Sequence, residues 1–145
     1  MVFMKILVVE DHKSQSDMVI ELLRGNGWTF NVVTHLEEAL KIETGFDLVL
    51  LDLQLVDSDY NETIAAIPKF ETSVVVMSSI EVSDIARQAC KMGARGMWRK
   101  TRDLLEVGGD FVVPPLSGLV ETIEGAAGTD ERRRARRKKL QALLT

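Results

Sequence analysis

Five short runs of aliphatic residues, each separated from the next by a stretch with helical spacing, constrain this chain more than any other feature. Residues 4–9 read as a buried strand, and 14–25 follow with Met18, Val19, Leu22 and Leu23 at helical spacing, ending near Gly25 and Gly27. Residues 29–33 read as a second strand, and 36–43 as a helix carrying Leu36, Ala39, Leu40 and Ile42, closed by Gly45. Residues 47–51 form a third run, 61–67 a short helix that stops before Pro68, and 73–77 a fourth strand. Residues 83–92 place Ile85, Ala86, Ala89 and Met92 on one face, with Gly93 as a carboxyl cap, and Gly96 to Arg99 make the fifth strand. Apolar strands that alternate with helices predict an α/β fold, a parallel sheet covered by helices on both faces.

Beyond Lys100 the pattern loosens. Residues 104–113 read either as a small hairpin turning at Gly108-Gly109 or as a plain loop. Pro114-Pro115 suit the first positions of a helix, with Leu116, Leu119, Val120 and Ile123 on its apolar face and Gly125 and Gly128 at its end. A chain of 145 residues suggests one domain with a core large enough to need no staples. Its one cysteine, Cys90, excludes an internal disulfide and reads as a small buried apolar group. No apolar run reaches membrane-span length, and acids at 10 and 11 interrupt the first, so the expected location is cytoplasmic.

Charge divides the chain. Residues 132–139 hold seven of the 18 basic residues, and no acid follows Glu131. The first 131 residues therefore set 11 basic against 22 acidic side chains, a net −11, and the last fourteen carry +7. Residues 129–145 have helix-forming composition, with Leu140, Leu143 and Leu144 along one side. Three readings stand for this basic tail: a solvated helix, an electrostatic contact with an anionic partner such as nucleic acid or a membrane surface, or docking on an acidic protein, including the acidic body of a second copy in a homodimer. No aromatic residue interleaves the run, which argues against sequence-specific DNA binding.

The chemistry gathers where the apolar runs stop. Glu10-Asp11, Asp52, Ser78-Ser79 and Lys100 each follow a run, and in an open parallel sheet ligands bind outside the carboxyl ends of the strands. Each has a bland reading: Asp52 or Glu10-Asp11 as a turn or helix cap, Ser78 as a common strand-end residue, Lys100 as a solvated charge. In order, Ile-Leu-Val-Val-Glu-Asp (6–11), Asp-Leu-Val-Leu-Leu-Asp-Leu (47–53), Val-Val-Val-Met-Ser-Ser (74–79) and Gly-Ala-Arg-Gly-Met-Trp-Arg-Lys (93–100) resemble the receiver domain of two-component response regulators over about residues 4–127.

The resemblance implies a flavodoxin-like strand order 2-1-3-4-5, a receiver over residues 1–128 and an appended tail over 129–145. It implies that Asp52 accepts a phosphoryl group from a histidine kinase or phosphotransfer protein. A Mg²⁺ ion would be held by Asp11 and Asp52, by Glu10 mainly through water, and by the backbone carbonyl of Gln54. Lys100 would neutralise one phosphoryl oxygen and the Ser78 hydroxyl would bond another, with Met97 at the position of the family's switch aromatic. No conventional enzyme is expected, only self-phosphorylation from a phosphodonor and slow autodephosphorylation. With no effector domain recognisable, the chain reads as a stand-alone receiver that changes its affinity for an output protein.

The sequence departs from the family pattern at four places. Val56 stands where proline is usual, Tyr60 where glycine is usual, Thr101 for the proline after the lysine, and Met97 for the aromatic. Trp98 is adjacent, but strand alternation directs it to the opposite face. These changes keep open a degenerate receiver that binds partners without phosphorylation. A phosphatase with an aspartate nucleophile fits less well, because Gln54 stands where such enzymes place a second Asp.

Overall fold

A computed structural model of the chain describes residues 3–78, 83–99, 119–120 and 122–126. Lys100, Thr101, the 104–113 stretch, Pro114-Pro115 and the basic tail lie outside the described residues. The order is β1 (Lys5–Val9), α1 (Lys13–Leu23), β2 (Thr29–Val33), α2 (Leu36–Ile42), β3 (Leu48–Asp52), α3 (Tyr60–Ala66), β4 (Val74–Ser78), α4 (Ser83–Lys91) and β5 (Gly96–Arg99). A further helical stretch, 119–120 and 122–126, is called α5 here. The five strands form one parallel sheet in the order β2-β1-β3-β4-β5.

That order explains where the helices lie. The chain moves one way from β1 to β2, then reverses and moves the other way through β3, β4 and β5. Right-handed crossovers therefore put α1 on one face and α2, α3 and α4 on the other. The core divides accordingly. Ile6, Val8, Leu48, Leu50, Val75, Met77 and Trp98 pack with Val19 and Leu23 of α1 and with Leu119 and Ile123 of α5. Leu7, Val9, Val49, Leu51, Val74 and Val76 pack with Leu36 and Ala39 of α2, Ile64 of α3 and Ala89 of α4. In β1, β3 and β4 the period-two alternation feeds both layers, so these strands are almost wholly apolar, whereas the edge strand β2 is mostly exposed.

Two glycines have a definite task. Gly93, at φ +111°, ends α4: its N–H donates to the Cys90 carbonyl and the Ala94 N–H to the Ala89 carbonyl, the paired bonds of a Schellman cap. Gly96 lets α5 approach β5, since a Cβ there would meet Thr122 Cγ2 at 2.5 Å.

Several expectations are corrected. Cys90 is exposed, because it lies about 100° around the helix from the buried Ala89. Ile42 is also turned out, and the inward stripe of α2 is continued instead by Glu43 at the start of a 3₁₀ turn. Met92 follows the last residue of α4 and is partly exposed. Gly125 lies within the α5 helical stretch and does not end it. The short helix α3 does stop before Pro68, at Ala66, and a 3₁₀ turn, Ile67–Lys69, follows it.

Candidate functional site

The reversal of chain direction falls between β1 and β3, so the loops leaving these two strands part and open a crevice at their carboxyl ends. The ladder pairs Val9 with Leu51, and one further step brings Glu10 level with Asp52. Asp52 pairs in turn with Met77, and Ser78 lies one residue beyond. Glu10, Asp52 and Ser78 are all buried, at 1%, 3% and 0% exposure, while Asp11 is partly exposed. Two buried carboxylates thus end neighbouring central strands, an arrangement that gains nothing as hydrophobic packing.

The backbone shapes this edge locally. The Gln54 N–H donates to Asp52 Oδ1 at 3.0 Å, and the His12 N–H to Glu10 Oε1 at 3.1 Å, each turning the chain just past its strand. The turn role foreseen for an isolated Asp is therefore real. The ligand atoms of Glu10, Asp11 and His12 all lie within 4.8 Å of one another; Asp52, at the end of the neighbouring strand, is not part of that cluster. This donor set suits a hard divalent cation, for which carboxylate oxygens are the preferred protein ligands. Asp11, His12 and Gln54 line an open groove of about 570 Å³ together with Asp57, Asp59 and Glu62.

Hydrogen bonds shape the loop after Asp52, where Val56 and Tyr60 stand at the positions at which the resemblance would place proline and glycine. Leu55 and Ser58 exchange backbone bonds of 3.1 and 3.4 Å around Val56 and Asp57. No described non-glycine residue has a positive φ, so Tyr60 starts α3 without strain. Asp59 caps α3 through the Glu62 N–H at 2.9 Å, and the Ser58 and Thr63 hydroxyls meet at 2.6 Å. Asp57 reaches the amino end of α2, accepting from the N–H groups of Leu36 (3.0 Å) and Glu37 (3.4 Å).

Met97 lies mid-strand in β5, partly buried against the α2–α4 layer, and Trp98 is buried on the α1 side, so the two point to opposite faces. Lys100 and Ser79 lie outside the described residues. His12 is the residue that sequence reasoning passed over. The signal was present, since it follows two acids at a strand end, but a histidine next to acids carries little weight until its ring is placed.

Residues 6–107 match the family model of the response regulator receiver domain. The chain belongs to this family. Over 93 residues, 61% of its length, it is 37% identical to the transcriptional regulatory protein ZraR of Klebsiella oxytoca, and it spans 21% of that protein. Its fold is similar to the N-terminal domain of a response regulator/sensory box/GGDEF 3-domain protein from Carboxydothermus hydrogenoformans, at 25% identity and TM-score 0.67, covering 89% of this chain and 98% of that one. It is also similar to the Mn²⁺-bound form of the response regulator Rcp1, at 24% identity and TM-score 0.61, covering 72% and 86%. Receiver domains generally bind Mg²⁺ at an acidic pocket, and this chain has the acidic cluster. Membership implies a kinase or phosphotransfer partner and an output. No helix among the described residues is long and apolar enough to cross a membrane.

Proposed function

We propose that this receiver is phosphorylated on Asp52 and so changes its affinity for an output protein. The observation that carries the reading is that buried Asp52 and buried Glu10 end adjacent strands at the switch point, with Asp11 next to Glu10 facing a groove. An Asp52 oxygen attacks phosphorus, the phosphorus–nitrogen bond of a phosphohistidine breaks, and the donor imidazole keeps the electron pair. Bound Mg²⁺ would offset the repulsion between the two anions that this step brings together. Asp11 and Asp52 would hold it directly, Glu10 through water, and Gln54 through its carbonyl.

Ser78, at the end of β4, is offered as the donor to one phosphoryl oxygen, and Lys100 as the cation for another. With Met97 in place of an aromatic, the response at β5 is a repacking of an unbranched side chain in the α2–α4 layer. The donor is a histidine kinase or phosphotransfer protein, and the setting is cytoplasmic. We further propose that residues 1–128 are the receiver and 129–145 a basic arm for an anionic partner, the acidic body of a second copy included.

Amide NMR with Mg²⁺, beryllium and fluoride tests the reading. The expected result is a set of shifts at Asp52, Gln54, Ser78 and Met97. An unchanged spectrum would favour a receiver that binds partners without phosphorylation.

A further inference from the structure

The two edges of the sheet differ in charge. β5 ends one side and contains Arg99, with Arg95 just before it and Lys100 just after. β2 ends the other side, and residues 25–36 around it hold no Asp, Glu, Lys or Arg, although 28% of the chain is charged. Native proteins guard an edge strand with charge, proline or a bulge, because its outward N–H and C=O groups template another strand. β2 has none of these: it reads Thr-Phe-Asn-Val-Val and pairs with β1 in unbroken register.

The ladder fixes which groups face outward. The Thr29 N–H donates to the Met4 carbonyl, and the Glu10 N–H to the Val33 carbonyl. Alternate residues turn their backbone to the same neighbour, so Thr29, Asn31 and Val33 face β1, while Phe30 and Val32 present N–H and C=O to the open edge. The Phe30 and Val32 side chains share the α1 face of the sheet, beside their ladder partners Ile6 and Val8. There Val32 is 41% exposed and Phe30 is half-buried.

We infer that β2 is an interface for a second copy of this chain, paired antiparallel across a two-fold axis at Asn31. In that register Phe30 exchanges both backbone bonds with Val32 of the second copy, and the reciprocal pair does the same. Among registers that use the outward groups, this one pairs both residues within the strand. It also sets an aromatic ring against a β-branched side chain twice, a favourable cross-strand combination. Bodies of charge −11 repel one another over most of their surface, and this uncharged edge is where two can approach. The contact is separate from the one proposed for the basic tail.

Sedimentation velocity of the full chain tests the association, with monomer expected at low concentration and dimer at high. Val32→Lys places a charge opposite Phe30 and moves the association midpoint about tenfold higher. Val56→Lys, at another exposed valine outside β2, leaves it in place. Added salt preserves or tightens this dimer, whereas a dimer held by the basic tail would loosen. Cysteine cross-linking in the Cys90→Ser background reads the register. Asn31→Cys faces its own copy, with Cα atoms about 4.5 Å apart, and oxidises to a disulfide dimer; Thr29→Cys, which faces Val33, does not. Positions 29, 31 and 32 are exposed, so these variants keep the fold. A chain that stays monomeric overturns the inference and leaves the edge to a strand of another protein. A dimer indifferent to Val32→Lys, a dimer that dissolves in salt, equal cross-linking at positions 29 and 31, or open-ended aggregation each overturn it as well.

Discussion

Carboxylates do most of the residue-scale work in this receiver, and they do it in three ways. Asp52, Glu10 and Asp11 stand at the carboxyl ends of β1 and β3, where we propose that they hold a cation. Glu43 is buried and accepts from the backbone N–H groups of Glu71 (2.9 Å) and Thr72 (3.0 Å), which ties the approach to β4. Asp57 caps α2, whose own N-cap residue, His35, makes no side-chain cap bond. Asp57→Ala is expected to cost about 1 kcal/mol in urea unfolding, the usual value of a lost cap. Val56→Ala, one residue away and 67% exposed, should change stability by less than about 0.5 kcal/mol. Equal effects would contradict the capping role. The acids at the strand ends were legible in the sequence because each follows an apolar run. Asp57 and Glu43 were not, since their partners lie 21 to 29 residues away and sequence cap signals are local.

The elements were legible for a different reason. Buried parallel strands such as β3 and β4 are continuous apolar runs, and all five strands appear in the sequence within about a residue of their observed ends, the more exposed β2 included. Helix faces were less secure. A helical period of about 100° per residue turns Cys90 and Ile42 off the buried stripe although each lies beside buried positions. The ends of elements carry two predictions. Gly93→Ala places a side chain at φ +111° and should cost about 1 kcal/mol by equilibrium unfolding. Gly96→Ala meets Thr122 of α5 and should cost roughly 1–3 kcal/mol through overpacking. Adding Thr122→Ala should recover part of that loss, and purely additive costs in the double variant would place the strain elsewhere.

At the scale of the whole molecule, an acidic body with charge −11 concentrates three carboxylates at one edge of its sheet. A cation bound there adds to stability by mass action. At Mg²⁺ a hundredfold above its dissociation constant the folded state gains about 2.7 kcal/mol, and the melting temperature rises with it. Asp11→Ala should abolish most of that rise while folding without Mg²⁺. An equal rise in the variant would show that Mg²⁺ acts on the surface at large. The most direct test of the central claim is labelling with a small acyl-phosphate donor in Mg²⁺, followed by mapping of the modified residue by mass spectrometry. The expected result is Mg²⁺-dependent phosphate on Asp52, lost on chelation and absent from Asp52→Asn; undiminished labelling of Asp52→Asn, or labelling indifferent to the cation, would contradict it.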